Sequence, residues 1–336
     1  MKFKYHSAMI IAILLLFCSR YFAQTSYVIY VQNGNTEVGL LPDVGGRIVV
    51  LRQRGHENLL KAPTELWEEP QTNRPTPDAK HPSMKSYFGQ IVWVGPQSDW
   101  WIQQDVNPTL RDQSAQWPPD PYLIYGEFHI TAQTDSSIVM QGPDSPVSGL
   151  QLTKEILIDH KGKVHFKVSG QNIRKENIQW DLWCNLRTSG LNRCYVPVET
   201  KSDVRIVNPY GDGNSIPYNI IDGYFTFTPE NSSTDRKTAK AFIYPKTGFI
   251  ACFQKNKLLR IHFNRLDRSQ IHYNQGHVEI YQDIGMSSIN LLELEHHAAY
   301  QVLKPGDTLS NEEIWEVIPY EGEDTQETHI KFLKTL

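Results

Sequence analysis

Short runs of alternating apolar residues, each closed by a turn, constrain this chain more than any other feature. Tyr27–Val31, Ile48–Leu51, Val164–Val168, Phe225–Phe227, Phe249–Phe253 and Leu259–Phe263 are such runs, rich in Val, Ile, Tyr and Phe. Turn formers punctuate the chain at Asn33-Gly34-Asn35, Asp159-His160-Lys161-Gly162, Asp212-Gly213-Asn214, Asp222-Gly223 and Lys304-Pro305-Gly306-Asp307. A period of two sends successive side chains to opposite faces of a strand, and regular turn spacing favours hairpins. No long segment keeps a 3.6-residue apolar period. The pattern therefore predicts an all-β sandwich of antiparallel sheets, with one short helix near Asn58–Trp67. At 40% hydrophobic residues the chain can fill a core, and its 336 residues fit one large all-β domain.

The amino terminus has a different composition. Lys2 and Lys4 precede an uninterrupted apolar run from Ala8 to Phe17. Ten helical residues reach only about 15 Å, half of a bilayer's hydrocarbon core. Residues 1–23 are expected to be a secretory signal peptide cut between Ala23 and Gln24, leaving a secreted or periplasmic protein with no membrane insertion. Removing them takes away three basic residues and no acid, so the net charge moves from −4 to −7. That balance argues against nucleic acid as a partner. Residues 24–320 read as a single domain, and residues 321–336 as an acidic, then polar, loosely held tail. Cleavage also removes Cys18. Cys184, Cys194 and Cys252 then remain, too few for a disulfide scaffold; Cys184 and Cys194 could pair, but two unrelated buried thiols are the preferred reading.

Two stretches break the β rhythm, Pro63–Pro82 and Gly95–Pro121. The second, with the run just before it, holds Trp93, Trp100, Trp101 and Trp117, four of the eight tryptophans. Loops lie over surfaces, so these rings either face a ligand or pin the loop. Sugars present flat C–H faces ringed by hydroxyls. Stacking aromatics in the company of Gln97, Gln103, Asp99, Asp105, Asn107 and Asp120 suit them.

Two strands carry the remaining polar groups. In Leu291–His297, alternation puts Glu293 and Glu295 on one face, about 7 Å apart. They serve either acid–base chemistry or a solvated acidic edge. His296 and His297 point to opposite faces, which argues against their sharing a metal ion. In Trp180–Arg187, Asp181, Trp183, Asn185 and Arg187 share a face, either as a ligand-binding wall or as a satisfied polar network. No nucleotide, zinc-protease or serine-hydrolase motif is present, and no metal or other cofactor is expected.

The segment Leu41-Pro42-Asp43-Val44-Gly45-Gly46-Arg47-Ile48, followed by Gly55-His56-Glu57-Asn58-Leu59-Leu60, resembles the amino-terminal pattern of galactose-mutarotase-like (aldose 1-epimerase-like) proteins. Glu293-Leu294-Glu295, Leu303-Lys304-Pro305-Gly306-Asp307 and Glu313-Ile314-Trp315 resemble that superfamily's closing strands. The resemblance runs from about residue 26 to 318 and points to a secreted branch. It implies a β-supersandwich, two large twisted antiparallel sheets with a sugar cleft on one concave face. It also implies a mono- or oligosaccharide ligand and, in the epimerases, a glutamate base on the anomeric hydroxyl with a histidine acid on the ring oxygen. The glutamate maps onto Glu293, or onto Glu295 if the register slips by two. The histidine's place falls on Asp181, which departs from the pattern. His81 and His129 are the substitutes the sequence offers.

Four functions follow as alternatives. The chain is an epimerase or mutarotase, a carbohydrate-binding protein without turnover, a lyase or hydrolase using Glu293, Glu295 and Asp181, or a structural envelope protein. In the carbohydrate readings Trp93, Gln97, Trp100, Trp101, Trp117, Asp120, Trp183, Asn185 and Arg187 form the binding wall.

Overall fold

A computed structural model describes residues 27–336 except 212, 230–234 and 287. The signal-peptide expectation therefore lies outside the described residues. The chain threads back and forth between two sheets. It opens the first with β1 (Ile29–Asn33), β2 (Thr36–Leu41), β3 (Arg47–Gln53) and β4 (Gln90–Gly95), then builds the second with β5 (His129–Gln133), β6 (Ser137–Asp144), β7 (Leu150–Ile158) and β8 (Val164–Asn172). It returns to the first for the long strand β9 (Ile178–Ser189) and crosses again for β10 (Arg193–Pro197). From there β11 (Val204–Val207) joins the first sheet, β12 (Tyr218–Ile221) and β13 (Tyr224–Phe227) the second, and β14 (Lys237–Ile243) the first. β15 (Phe249–Gln254) and β16 (Lys257–His262) go to the second, β17 (Val278–Ile284) and β18 (Leu291–His297) to the first. Finally β19 (Gln301–Leu303) pairs with β9, and β20 (Thr308–Pro319) lies in the second sheet.

The first sheet runs β1-β2-β3-β4-β9-β18-β17-β14-β11, the second β12-β13-β10-β15-β16-β20-β8-β7-β6-β5, and every pairing between these strands is antiparallel. This is the expected sandwich. Inward-facing Val, Ile, Leu and Phe of both sheets make one continuous core. The predicted runs fall on β1, β3, β8, β13, β15 and β16.

Pro42–Ile48 acts in this core as a clamp between the sheets. Gly45 and Gly46 have φ of +73° and +54°, and a Cβ on Gly45 would stand 2.5 Å from the Ile124 carbonyl oxygen. Arg47 is fully buried and donates to the carbonyls of Phe88 (2.8 Å) and Ile124 (3.2 Å). From the second sheet, the buried Lys154 ammonium donates to the carbonyls of Gly45 (2.7 Å) and Gly46 (3.1 Å). Asn58 braces the following turn, accepting from the amides of Leu51 and Leu60 and donating to the Val49 carbonyl.

One expectation changes. The segment after Pro319 is not loose: Gln326–Leu333 is a helix, capped by Thr325, and packs Ile330 and Leu333 onto the outer face of the second sheet. Its apolar positions are too few to show in composition, yet their four- and three-residue spacing aligns them on one face. Cys194 sits opposite Cys252 across β10 and β15, whereas Cys184 lies in the first sheet; all three are buried free thiols.

Candidate functional site

The outer face of the first sheet, away from the second, carries a block of polar side chains that strand register sorts into cross-strand rows. One row reads Arg187–Glu293–Tyr281–Lys240 across β9, β18, β17 and β14. The next reads Ile91–Asn185–Glu295–Glu279–Phe242–Arg205, from β4 to β11. The third is Trp93–Trp183–His297, and the fourth is Gly95–Asp181. Alternation along β9 and β18 thus places Asp181, Trp183, Asn185, Arg187, Glu293 and Glu295 on one common face. The same alternation adds His297, and the neighbouring strands add Glu279 and Lys240.

The charges of this block answer one another. Arg187 donates to Glu293 at 2.6 Å, and Asn185 donates to Glu295 at 3.0 Å. The Lys240 ammonium stands 2.7 Å from Glu279 and 2.9 Å from Glu295, and 4.7 Å from the centre of the Trp183 ring. His297 lies between Asp181 (3.1 Å) and Glu279 (3.4 Å), under the Trp183 ring. Gly95 leaves room for this pair: a Cβ there would stand 2.6 Å from the Asp181 carboxylate and closer still to Gln275 Nε2, and those side chains would have to shift.

Burial and pairing set the protonation states. Burial opposes a charge on His297, but Asp181 and Glu279 outweigh it and raise its pKa to about 9. Burial likewise opposes charge on Lys240, and Glu279 and Glu295 overcome it, holding the ammonium above its ordinary value. Glu279 is held low against burial by Lys240 and His297. The adjacent glutamates diverge. Glu295 is driven well up by burial and by the carboxylates of Glu293 and Glu279, more than Lys240 can offset. Glu293 resists burial through Arg187 and a hydrogen bond from Glu295, and stays low. Within the pair the shifts run in opposite directions, up for Glu295 and down for Glu293.

The mapping of Asp181 onto the acid beside Glu293 fails on distance. Glu293 pairs with Arg187, six residues from Asp181, so the two carboxylates are separated by roughly 20 Å along the strands. The histidine in contact with Asp181 is His297, at 3.1 Å, which the sequence reading did not single out. His81 is exposed and bonded to Asp78, and His129 sits on an exposed edge strand, so neither reaches the block.

The tryptophans divide. Trp100 and Trp101 are buried and spend their indole N–H groups on the loop itself, donating to the carbonyls of Val94 (2.6 Å) and Pro118 (2.7 Å). Asp120 is also structural: it caps the helix Pro121–Tyr125 and accepts from the Tyr122 and Ser148 amides. These three leave the binding wall. Trp93 and Trp183 meet edge to face at 5.0 Å, and Trp100 and Trp117 pack on them. Only Trp117 keeps half its surface, 52%, in solvent.

Over the block lies a cavity of about 490 Å³, lined by Trp183, Lys240, Phe242, Glu279, Gln275 and Tyr273 and bounded by Gln97 and Gln116 of the tryptophan loop. Arg187 and Glu293 lie beside it rather than in it. Between the sheets, Cys184, His296 and Glu313 bring ligand atoms within 4.8 Å of one another. Their polar atoms are already engaged: His296 meets one Glu313 oxygen at 3.1 Å and Trp315 donates to the other at 2.9 Å. As alternation required, His296 and His297 face opposite ways.

Residues 28–318 match the model of a family described as a domain of unknown function, DUF4380. No curated protein matches the sequence. Among solved structures, a galactose mutarotase-like protein from Lactobacillus casei ATCC 334 is similar at a TM-score of 0.55 and 8% identity, over 87% of this chain and 100% of that one. A protein of Synechocystis sp. PCC 6803 gives 0.55 and 10%, over 86% and 95%. The aldose epimerase homologue of C. elegans gives 0.52 and 9%, over 88% and 99%. Identities this low speak for the fold, which is the galactose mutarotase-like sandwich.

Proposed function

The chain belongs to the DUF4380 family, and we propose that it is a carbohydrate-binding protein whose sugar site is the cavity on the outer face of the first sheet. One observation carries this reading. The cavity joins aromatic surfaces of Trp183, Phe242 and Tyr273 to the hydrogen-bonding groups of Lys240, Glu279 and Gln275. Sugar rings need both, an apolar face to stack on and oriented donors and acceptors for hydroxyls. Lys240 and Glu279 neutralise each other, so a neutral hydroxyl can bridge them without leaving a bare charge. The fold's relatives include proteins named for mutarotase and aldose epimerase activity, which agrees with a carbohydrate ligand. Calorimetric titration with a panel of mono- and oligosaccharides tests the proposal. Binding to the wild type that Lys240→Met weakens at least tenfold supports it; no binding across the panel refutes it.

A second reading has its own observation, the divergent pair Glu293 and Glu295. Two neighbouring carboxyls with protonation states pushed apart form an acid–base pair. In an epimerase, ionised Glu293 would take the anomeric hydroxyl proton while Glu295, as the acid, protonates the ring oxygen. The ring C–O bond breaks, the aldehyde rotates, and the reverse transfers close the other anomer. Exchange NMR on fresh α-glucose and α-galactose separates the two readings. Acceleration that Glu293→Gln abolishes makes the protein an epimerase; binding without acceleration makes it a binding protein.

The proposal includes export, with cleavage between Ala23 and Gln24, on the basis of the basic start and the ten-residue apolar run. Among the described residues no helix is long and apolar enough to cross a membrane. Intact-mass measurement of the secreted protein tests the cut, and retention of residues 1–23 would contradict it.

A further inference from the structure

The cavity over Lys240 does not end there. It shares Arg205, Phe242, Tyr273 and Gln275 with a second cavity of about 530 Å³, which continues past Tyr244 and Arg268. Together they form one groove across β14 and β11 and the segment leading into β17. A single sugar ring occupies one such cavity and cannot fill both.

The two halves differ in charge. In the first, Lys240 and Glu279 neutralise each other at 2.7 Å. In the second, Arg268 pairs with Asp203 at 3.3 Å. Arg205, at the junction, has no ion-pair partner among the described residues. Its one hydrogen bond runs from Nη2 to the Asn274 carbonyl, at 2.8 Å. Its guanidinium lies 3.8 Å from the centre of the Phe242 ring, and that stacking fixes its plane. That bond takes one of the two Nη2 hydrogens, so the other, together with Nε–H or an Nη1–H, leaves one bidentate edge of the guanidinium for a ligand. A planar fork held in place with donors to spare suits a carboxylate or sulfate, which accepts two parallel N–H bonds. Beside it, the Tyr273 ring is 83% exposed and offers a face for a sugar.

We propose that the second cavity is a subsite for an anionic sugar unit, with Arg205 holding the carboxylate or sulfate, so that the groove takes an acidic oligosaccharide with one unit in each cavity. This rests on the carbohydrate reading of the first cavity.

The test is calorimetry with trigalacturonate, its neutral methyl ester, galactotriose and a sulfated galacto-oligosaccharide, on the wild type and on Arg205→Gln. The acidic glycans should bind at least about tenfold more tightly than their neutral counterparts. Arg205→Gln should erase that advantage, lowering the acidic affinities at least about tenfold more than the neutral ones, and keep the wild-type melting temperature, because the side chain is exposed. Raising the salt should narrow the wild-type advantage. Whichever anion gains more, carboxylate or sulfate, identifies the source of the charge. If neutral glycans bind and acidic ones bind no better, the anionic subsite is wrong and the sugar site stands. If none of the four binds, both fall together.

Discussion

On the outer face of the second sheet, the helix Gln326–Leu333 lays Ile330 and Leu333 over Tyr195, Phe253 and Tyr320, and the chain seals its own apolar surface. On the outer face of the first, an equally buried layer is charged, and the loop above it leaves a cavity. A histidine lies fully buried in each. His329 stacks 3.8 Å from Phe253, meets the Tyr195 hydroxyl at 3.0 Å, and is pushed by burial down to about 4. His297, between two carboxylates, rises to about 9. Burial is common to both; His329 faces one solvent-exposed carboxylate, Asp324 at 3.5 Å, and His297 two buried ones, and that difference sets the sign. One face is finished by the protein; the other holds polar groups in fixed positions beside an open volume.

The largest expected effect comes from unbalancing the charged face. Glu279→Ala leaves Lys240 and His297 short of a shared carboxylate, and removing one partner of a buried pair costs roughly 3–5 kcal/mol. Urea denaturation measures it, and a loss below about 1 kcal/mol would show that the row is not held by its ion pairs.

Next comes the pH dependence, opposite on the two faces. The folded pKa of His297 lies above its ordinary 6.5, so its stabilisation is complete below pH 6.5 and is lost as pH rises through about 9. That amounts to roughly 3 kcal/mol. It should appear as the difference between wild type and His297→Gln, which cancels other alkaline titrations. The folded pKa of His329 is depressed, so its contribution is present above pH 6.5 and is lost as pH falls towards about 4. Amide protection factors, corrected for the intrinsic pH dependence of exchange, should therefore fall in 326–333 between pH 7 and 4.5 before they do in β18. Protection that falls equally in both would break the comparison.

The smallest effect belongs to Trp117. With half its surface in solvent, Trp117→Ala should change stability by less than about 1 kcal/mol. A larger loss would make it another pin of the loop, like Trp100 and Trp101.

Much of this was legible in the sequence. Period-two runs located the strands, and alternation alone placed Glu293 and Glu295, and Asp181 through Arg187, on common faces. Alternation also put His297 with the glutamates, but two adjacent histidines invite a metal question before a face question. Glu279 and Lys240 were not legible, because charges on strands read as solvated until the loop above is known. Trp100, Trp101 and Asp120 misled for the converse reason. A loop rich in Trp and Asp looks like a binding wall, and only its own hydrogen bonds, to Val94, Pro118 and Ser148, show those three holding the loop. The distance between Glu293 and Asp181 needed the register of β9 against β18, which composition does not contain.

The most direct test is a crystal structure of the protein grown with a bound oligosaccharide. The account predicts a sugar ring stacked by Phe242 or Tyr273, with hydroxyls in reach of Lys240 and Glu279. A saccharide seated on the second sheet instead, or a cavity that stays free of sugar at millimolar concentration, would contradict it.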